Sequence, residues 1–387
     1  ALGFCGENGS LAIYQRIQIA CSMYVNWCFA VYFKYCLLFR GKVAERVSAI
    51  KRYWFLACLI LLIPIGLAWP EGGELLAHSS WVIQVFVGVM LFLTSFMMDA
   101  RKLATQATNW KAWLVALTHI YLIAPTVAFG LAILFAPANE PHFTTAMMIM
   151  AAQAGSLASA IALTHMAGGS RELALICTLL SNGLTFILTP LILQVSIGAT
   201  IEFPLVNMIQ RMILVVLLPI LLGQIVRRIF WEKTVKFHPV IKVAPQIIIL
   251  MFVYAGFSAA EKELQSAPSL ALRFLGASAV LHLLLLGSIL LSTGMLRLSW
   301  NERSAVIFCG SQKTLPNGMF IWRTYFLDHP GGAPALVAHV PFGAVPLVLY
   351  HLFQLILDTL LVPVLEKKIN PDKTCGNTPA MNCHQQK

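Results

Sequence analysis

The stretch Ile307-Phe-Cys-Gly-Ser-Gln-Lys-Thr-Leu-Pro-Asn-Gly-Met319 interrupts an apolar segment with two glycines, a proline, uncharged polar side chains and one lysine. Such a run in the middle of an apolar span is costly in lipid, where backbone and charged groups find no water. It persists only where protein or a water-filled cavity surrounds it. The remainder of the chain is expected to provide that shelter.

Composition supports this reading. Of 387 residues, 58% are hydrophobic and 11% charged, with a mean hydropathy of +0.77. A soluble domain is roughly 45–50% apolar and about 25% charged, so the chain reads as an integral, multi-pass membrane protein. The net charge of +11 is explained by basic cytoplasmic loops, and a nucleic-acid partner is not expected. Most of the cysteines, including Cys21, Cys28, Cys36, Cys58, Cys177 and Cys309, lie in apolar segments as small hydrophobes. Cys375, Cys383 and His384 fit no compact metal-binding spacing. Residues 1–10 lack the order of a secretory signal.

Outward from the opening stretch, apolar runs suggest ten spans, near residues 53–69, 81–98, 112–135, 143–167, 173–195, 205–229, 239–259, 272–296, 304–326 and 342–365. Lys and Arg crowd alternate loops. Arg40, Lys42, Arg46, Lys51 and Arg52, then Arg101, Lys102, Arg171, Arg227, Arg228, Lys233, Arg297, Arg303, Lys367 and Lys368 fall on one side, whereas the opposite loops carry Glu71, Glu74, Glu140, Glu202 and Asp328. The positive-inside rule then puts both termini in the cytoplasm, and the plasma (inner) membrane is the expected location. Residues 1–49 form an N-terminal extension with a weak helix signal, 50–197 a first five-helix repeat, 198–368 a second, and 369–387 a disordered cytoplasmic tail.

Two halves with five spans each enter the membrane in opposite senses, as inverted repeats do. The fourth span of the first half contains Ala152-Gln-Ala-Gly-Ser-Leu-Ala-Ser159, and the fourth of the second contains Cys309-Gly-Ser-Gln-Lys-Thr314. Both set a Gly-Ser pair close to a glutamine. The following spans match loosely, with Leu180-Ser-Asn-Gly-Leu-Thr185 and Thr189-Pro190 against Tyr350-His-Leu-Phe-Gln354 and Val362-Pro363. Paired interruptions point to a transporter's midplane binding site. The expected fold class is an all-α membrane protein whose fourth and ninth helices are discontinuous and cross.

A helix broken at glycine exposes N–H groups at one new end and carbonyls at the other, so a crossing offers sites for both charges. Ser311, Gln312, Thr314 and Asn317 add polar side chains, as do Gln153, Ser156 and Ser159 from the partner segment. The simpler reading is that Gly, Ser and Thr only let helices approach closely. Lys313 has three readings: a tethered cation in the place of a transported one, a proton-accepting amine, or a counter-ion for an anionic substrate. Asp358 either serves at the membrane interface or pairs with Lys313. His119, His165 and His282 read as packing residues, whereas His351 has Gln354 at i+3 and a claim on the site, as do Ser181 and Asn182 beside Gly183.

These features together resemble the bile acid:sodium symporter superfamily, and most of all its bile-acid-symporter-like branch. The residues concerned are Phe308-Cys-Gly-Ser-Gln-Lys-Thr-Leu-Pro-Asn-Gly318, Met98-Asp-Ala-Arg-Lys102 and Tyr350-His-Leu-Phe-Gln354, and the likeness covers about residues 50–368. The resemblance implies a core domain with the two crossed helices, beside a panel of the first, second, sixth and seventh spans. It also implies sodium ligands at Gln312 and Ser159. In sodium-coupled members a glutamate lies two residues before the motif glycine, where this chain has Phe308. The Ser-Asn pair of the first broken helix is Ser159-Ala160 here, and Lys313 follows the glutamine where symporters commonly have a neutral residue.

The missing carboxylate and added lysine count against sodium coupling and leave a proton, or no coupling ion, as alternatives. No other cofactor is expected. The reading is a secondary active transporter of a small organic anion working by alternating access, with a non-transporting regulatory membrane protein of the same fold as the alternative. The chain lacks HExxH, Walker and Ser/His/Asp patterns, so it is not read as an enzyme.

Overall fold

A computed structural model describes residues 44–78, 80–99, 108–140, 142–198, 204–327 and 340–371. Residues 1–43 and 372–387 lie outside these, and with them most of the expected N-terminal extension and tail, including Cys375, Cys383 and His384.

Among the described residues every regular element is helical. In chain order they are α1 (Ala44–Ala68), α2 (Pro70–His78), α3 (Ser80–Met97), α4 (Trp110–Phe135), α5 (Phe143–Ala151), α6 (Leu157–Met166), α7 (Arg171–Ile197), α8 (Leu205–Phe230), α9 (His238–Ala259), α10 (Glu261–Ser266), α11 (Pro268–Met295), α12 (Trp300–Ser311), α13 (Leu315–Tyr325) and α14 (Ala344–Ile369). By length and composition six helical segments suffice to cross a membrane; they include α4, α7, α8, α11 and α14, and the sixth, Val235–Ala259, contains α9. A helix, or a pair of short helices, lies over each apolar run of the sequence.

Local chemistry fixes the ends. Ser299 caps α12 through a reciprocal box, in which its Oγ accepts from the Glu302 N–H and Glu302 Oε2 accepts from the Ser299 N–H at 2.8 Å. Ser170 caps α7 by accepting from the Leu173 N–H at 3.3 Å. The α6 terminus closes on Gly168, at φ +78°, with Gly169 N–H bonding Thr164 O at 2.9 Å. Glycine suits that left-handed position because it has no Cβ.

The outer surface is apolar. Leu134, Val195, Val206, Leu272, Leu291, Met295 and Leu360 are exposed, as a protein solvated by hydrocarbon requires. Inside, α1, α3, α8 and α9 pack together. Polar stitches join them: Tyr254 donates to Trp69 O at 2.8 Å, Ser95 to Ile220 O at 2.7 Å, and Arg227 to Phe96 O at 2.9 Å. Helices α4–α7 pack with α11, α12 and α14, and the Phe143 and Phe274 rings stack at 4.1 Å between α5 and α11.

Candidate functional site

The two polar interruptions become two breaks that touch. Helix α5 stops at Ala151 and α6 starts at Leu157; α12 stops at Ser311 and α13 starts at Leu315. Between them the chain is extended at Ser156 (φ −68°, ψ 127°), Gln312 (φ −78°, ψ 149°) and Thr314 (φ −83°, ψ 124°). Pro316, in the first turn of α13, has no N–H to offer the preceding turn and suits a helix start. The Thr314 N–H donates to Ala154 O at 2.9 Å, joining break to break. Gly155 permits this approach, since a Cβ there would lie 2.7 Å from Cys309 O.

Freed backbone groups inside a membrane need partners, and the fold supplies them from three places: α7, the second break itself and α14. Of the first break, Ala152 O accepts from Thr189 Oγ1 at 2.7 Å, Gln153 O from Lys313 Nζ at 3.1 Å, Ala154 O from Thr314, and Gly155 O from Asn182 Nδ2 at 3.0 Å. Of the second, Ser311 O accepts from the Tyr350 hydroxyl at 2.6 Å. Gln354 meets Lys313 twice, taking its N–H at 2.7 Å and giving to its carbonyl at 2.9 Å. Thus α7 serves the first break as α14 serves the second.

A chain of side chains crosses between the breaks. Ser156 and Ser159 hydroxyls are 2.6 Å apart, Ser159 donates to Gln312 Oε1 at 2.6 Å, and Gln312 Nε2 donates to Asp358 Oδ2 at 2.7 Å. Asp358 Oδ1 faces His282 Nε2 at 2.9 Å, and His282 Nδ1 lies 3.2 Å from the Tyr350 oxygen. The Tyr350 proton is committed to Ser311 O, so the Nδ1 bond needs a proton on His282. The Asp358 bond needs a second, on Nε2 or on the carboxyl group. The pair is then neutral overall.

The expected site residues separate into three groups. Gln312, Lys313, Gln153, Ser156, Ser159, Thr314 and Asn182 meet at the crossing through the bonds above. Ser311 and Ser181 are buried there, but their hydroxyls turn back to Ile307 O and Thr178 O at 2.7 and 3.1 Å. The Ser181 carbonyl instead accepts from Tyr121. His351 is tied to Gln354 at 2.9 Å. Asn317 is fully buried; neither of its amide atoms, nor Gln153 Oε1, nor His351 Nε2, has a hydrogen-bond partner among the described residues.

One reading needs correction. Asp358 does not pair with Lys313: it is fully buried and meets His282 and Gln312. His282 is a buried, hydrogen-bonded packing residue, and its partners are Asp358 and Tyr350. His282 and Asp358 are 76 positions apart, and no local pattern links them. Tyr350 and Thr189 stood in the quoted segments, but nothing in sequence showed that their hydroxyls reach broken backbone. Phe308 is fully buried in α12; its main-chain carbonyl accepts from the Gln312 N–H at 3.4 Å, but its ring brings no carboxylate. The carboxylate beside Gln312 comes from α14 instead.

An apolar exterior with a polar, fully sheltered crossing of broken helices at its centre defines an integral membrane transporter, and the chain is a multi-pass membrane protein. It belongs to the SBF-like CPA transporter family, which residues 53–367 match. It is similar to an uncharacterized protein of Pseudomonas aeruginosa, 26% identical over 79% of this chain and 91% of that one. It is also similar to sodium/bile acid cotransporter 7 of Danio rerio, 22% identical over 83% and 95%. A third relative is a probable chloroplastic sodium/metabolite cotransporter of Arabidopsis thaliana, 26% identical over 79% of this chain and 70% of that protein. The family is one of transporters, not enzymes.

Proposed function

We propose that this chain is a secondary active transporter of a small organic anion, working by alternating access about the crossing of its two breaks. The proposed architecture is ten spans in two inverted repeats, residues 50–197 and 198–368, with both termini cytoplasmic in a plasma-type membrane. Helices α1, α3, α8 and α9 form the panel, and α4–α7 with α11–α14 form the core that moves against it.

The observation that carries this reading is the contact of the two breaks, from which the N-termini of α6 and α13 start, in an interior where Asn317, Gln153 and His351 each keep a polar atom without a partner among the described residues. Helix N-termini favour anions, and the Lys313 amine offers a positive charge when it is protonated. Sodium and a proton are both candidate coupling ions. The names of two relatives favour sodium, while Phe308 in place of a carboxylate two residues before Gly310 leaves a proton as the alternative. Ser159 and Gln312 are the side chains expected to respond to an ion, through their shared bond and the neighbouring carboxylate.

The test is a thermal-shift screen of organic acids on purified protein, with and without sodium and across pH, followed by uptake into proteoliposomes with imposed sodium or pH gradients. A hit that is transported, and whose flux falls at least tenfold in Gln312→Ala, supports the proposal. Stabilisation by an acid with no flux under any gradient replaces it with the non-transporting regulatory reading.

A further inference from the structure

Ile120 has a carbonyl that its own helix cannot use. In α4 the segment His119–Ile123 is a π turn, and the Ala124 N–H bonds His119 O where regular α spacing would send it to Ile120 O. The next residue is Pro125, which has no N–H. A carbonyl left bare inside a membrane is costly, because no water is there to take its hydrogen bond. Lys313 Nζ takes it at 2.6 Å.

The same ammonium takes Gln153 O, which the first break has freed from helical bonding. Two main-chain carbonyls from different elements, both left over by local breaks in α-helical order, thus converge on one buried cation; Lys313 is only 2% exposed. Among the described residues no carboxylate forms an ion pair with it, and the buried carboxylate near the crossing, Asp358, is engaged by His282 and Gln312. Fixed carbonyl oxygens are also how proteins hold dehydrated monovalent cations.

We propose that the α4 π turn and the first break build a carbonyl cation site which the Lys313 ammonium permanently fills, so that this site takes no free sodium. The inference rests on reading the crossing as a transporter's centre. It explains why a lysine is tolerated there without an acidic partner: its place is a cation's place.

The experiment is a melting series in detergent with sodium, potassium or methylammonium chloride against N-methylglucamine chloride at constant ionic strength. Wild type is expected to show no methylammonium-specific shift, because the Lys313 amine already holds both carbonyls. Lys313→Ala, which vacates the carbonyls, is expected to melt lower and to recover roughly 3–6 °C with sodium or methylammonium. Lys313→Met, which fills the space without charge, is expected to recover nothing.

A methylammonium-specific rise in wild type overturns the proposal, as does a folded Lys313→Ala protein indifferent to every cation; a rise with sodium alone reports on the separate Ser159–Gln312 pair. If Lys313→Ala cannot be purified, the wild-type series decides. Absence of flux for every organic acid would remove the transporter reading and leave the melting result standing.

Discussion

Asp358 Oδ1 and His282 Nε2 lie 2.9 Å apart with both side chains wholly buried. The pair joins α14 to α11, and through Gln312 it reaches the second break. Buried pairs are poor sources of net stability, because desolvation offsets their attraction. Removing one partner is another matter.

We expect His282→Ala to cost roughly 3–5 kcal/mol, since it leaves Asp358 facing an empty place in a low-dielectric interior. Combining His282→Ala with Asp358→Asn is expected to cost less than the sum of the two single changes. A double-mutant cycle on reversible unfolding checks this, and simple additivity would remove the coupling.

Gly155→Ala is expected to be severe. The added Cβ would meet Cys309 O at 2.7 Å, and neither backbone can give way without separating the breaks. Gly183→Ala is the control, because nothing lies within 4 Å of a Cβ there. The first should abolish uptake and lower the melting temperature; the second should leave both near wild type.

Gln354 holds the backbone of Lys313 by both its N–H and its carbonyl. Gln354→Leu strands the two groups in the interior, at a cost of roughly 1–3 kcal/mol each. Gln354→Glu, if ionised, keeps the acceptor and loses the donor, so an intermediate loss is expected. Denaturant melting of the three proteins orders them.

Asn317 gives the opposite sign. Its amide has no protein partner among the described residues, so Asn317→Val, apolar and nearer in volume than leucine, is expected to stabilise the protein by about 1–3 kcal/mol. If the amide is kept for a ligand, the same change should remove ligand-induced stabilisation. Loss of stability with unchanged ligand response would show that Asn317 serves packing alone.

The sequence by itself determined the helices and the two breaks. Long apolar runs can satisfy their backbone in lipid only as helices, and Gly155, Gly310 and Pro316 mark where the helical ladder must stop. The repeated Gly-Ser and glutamine pattern likewise pointed to the residues that now meet at the crossing.

What the sequence could not show is who receives the bonds the breaks release. Those partners are Thr189, Asn182, Tyr350 and Gln354 on the following long helices, and they become neighbours only when helices pack. His282 and Asp358 have no shared local period, and the Ile120 carbonyl is free only because a π turn and Pro125 coincide in α4. Local chemistry decides where a backbone breaks; the three-dimensional packing alone decides which side chain answers, because in a membrane interior no water is there to answer instead.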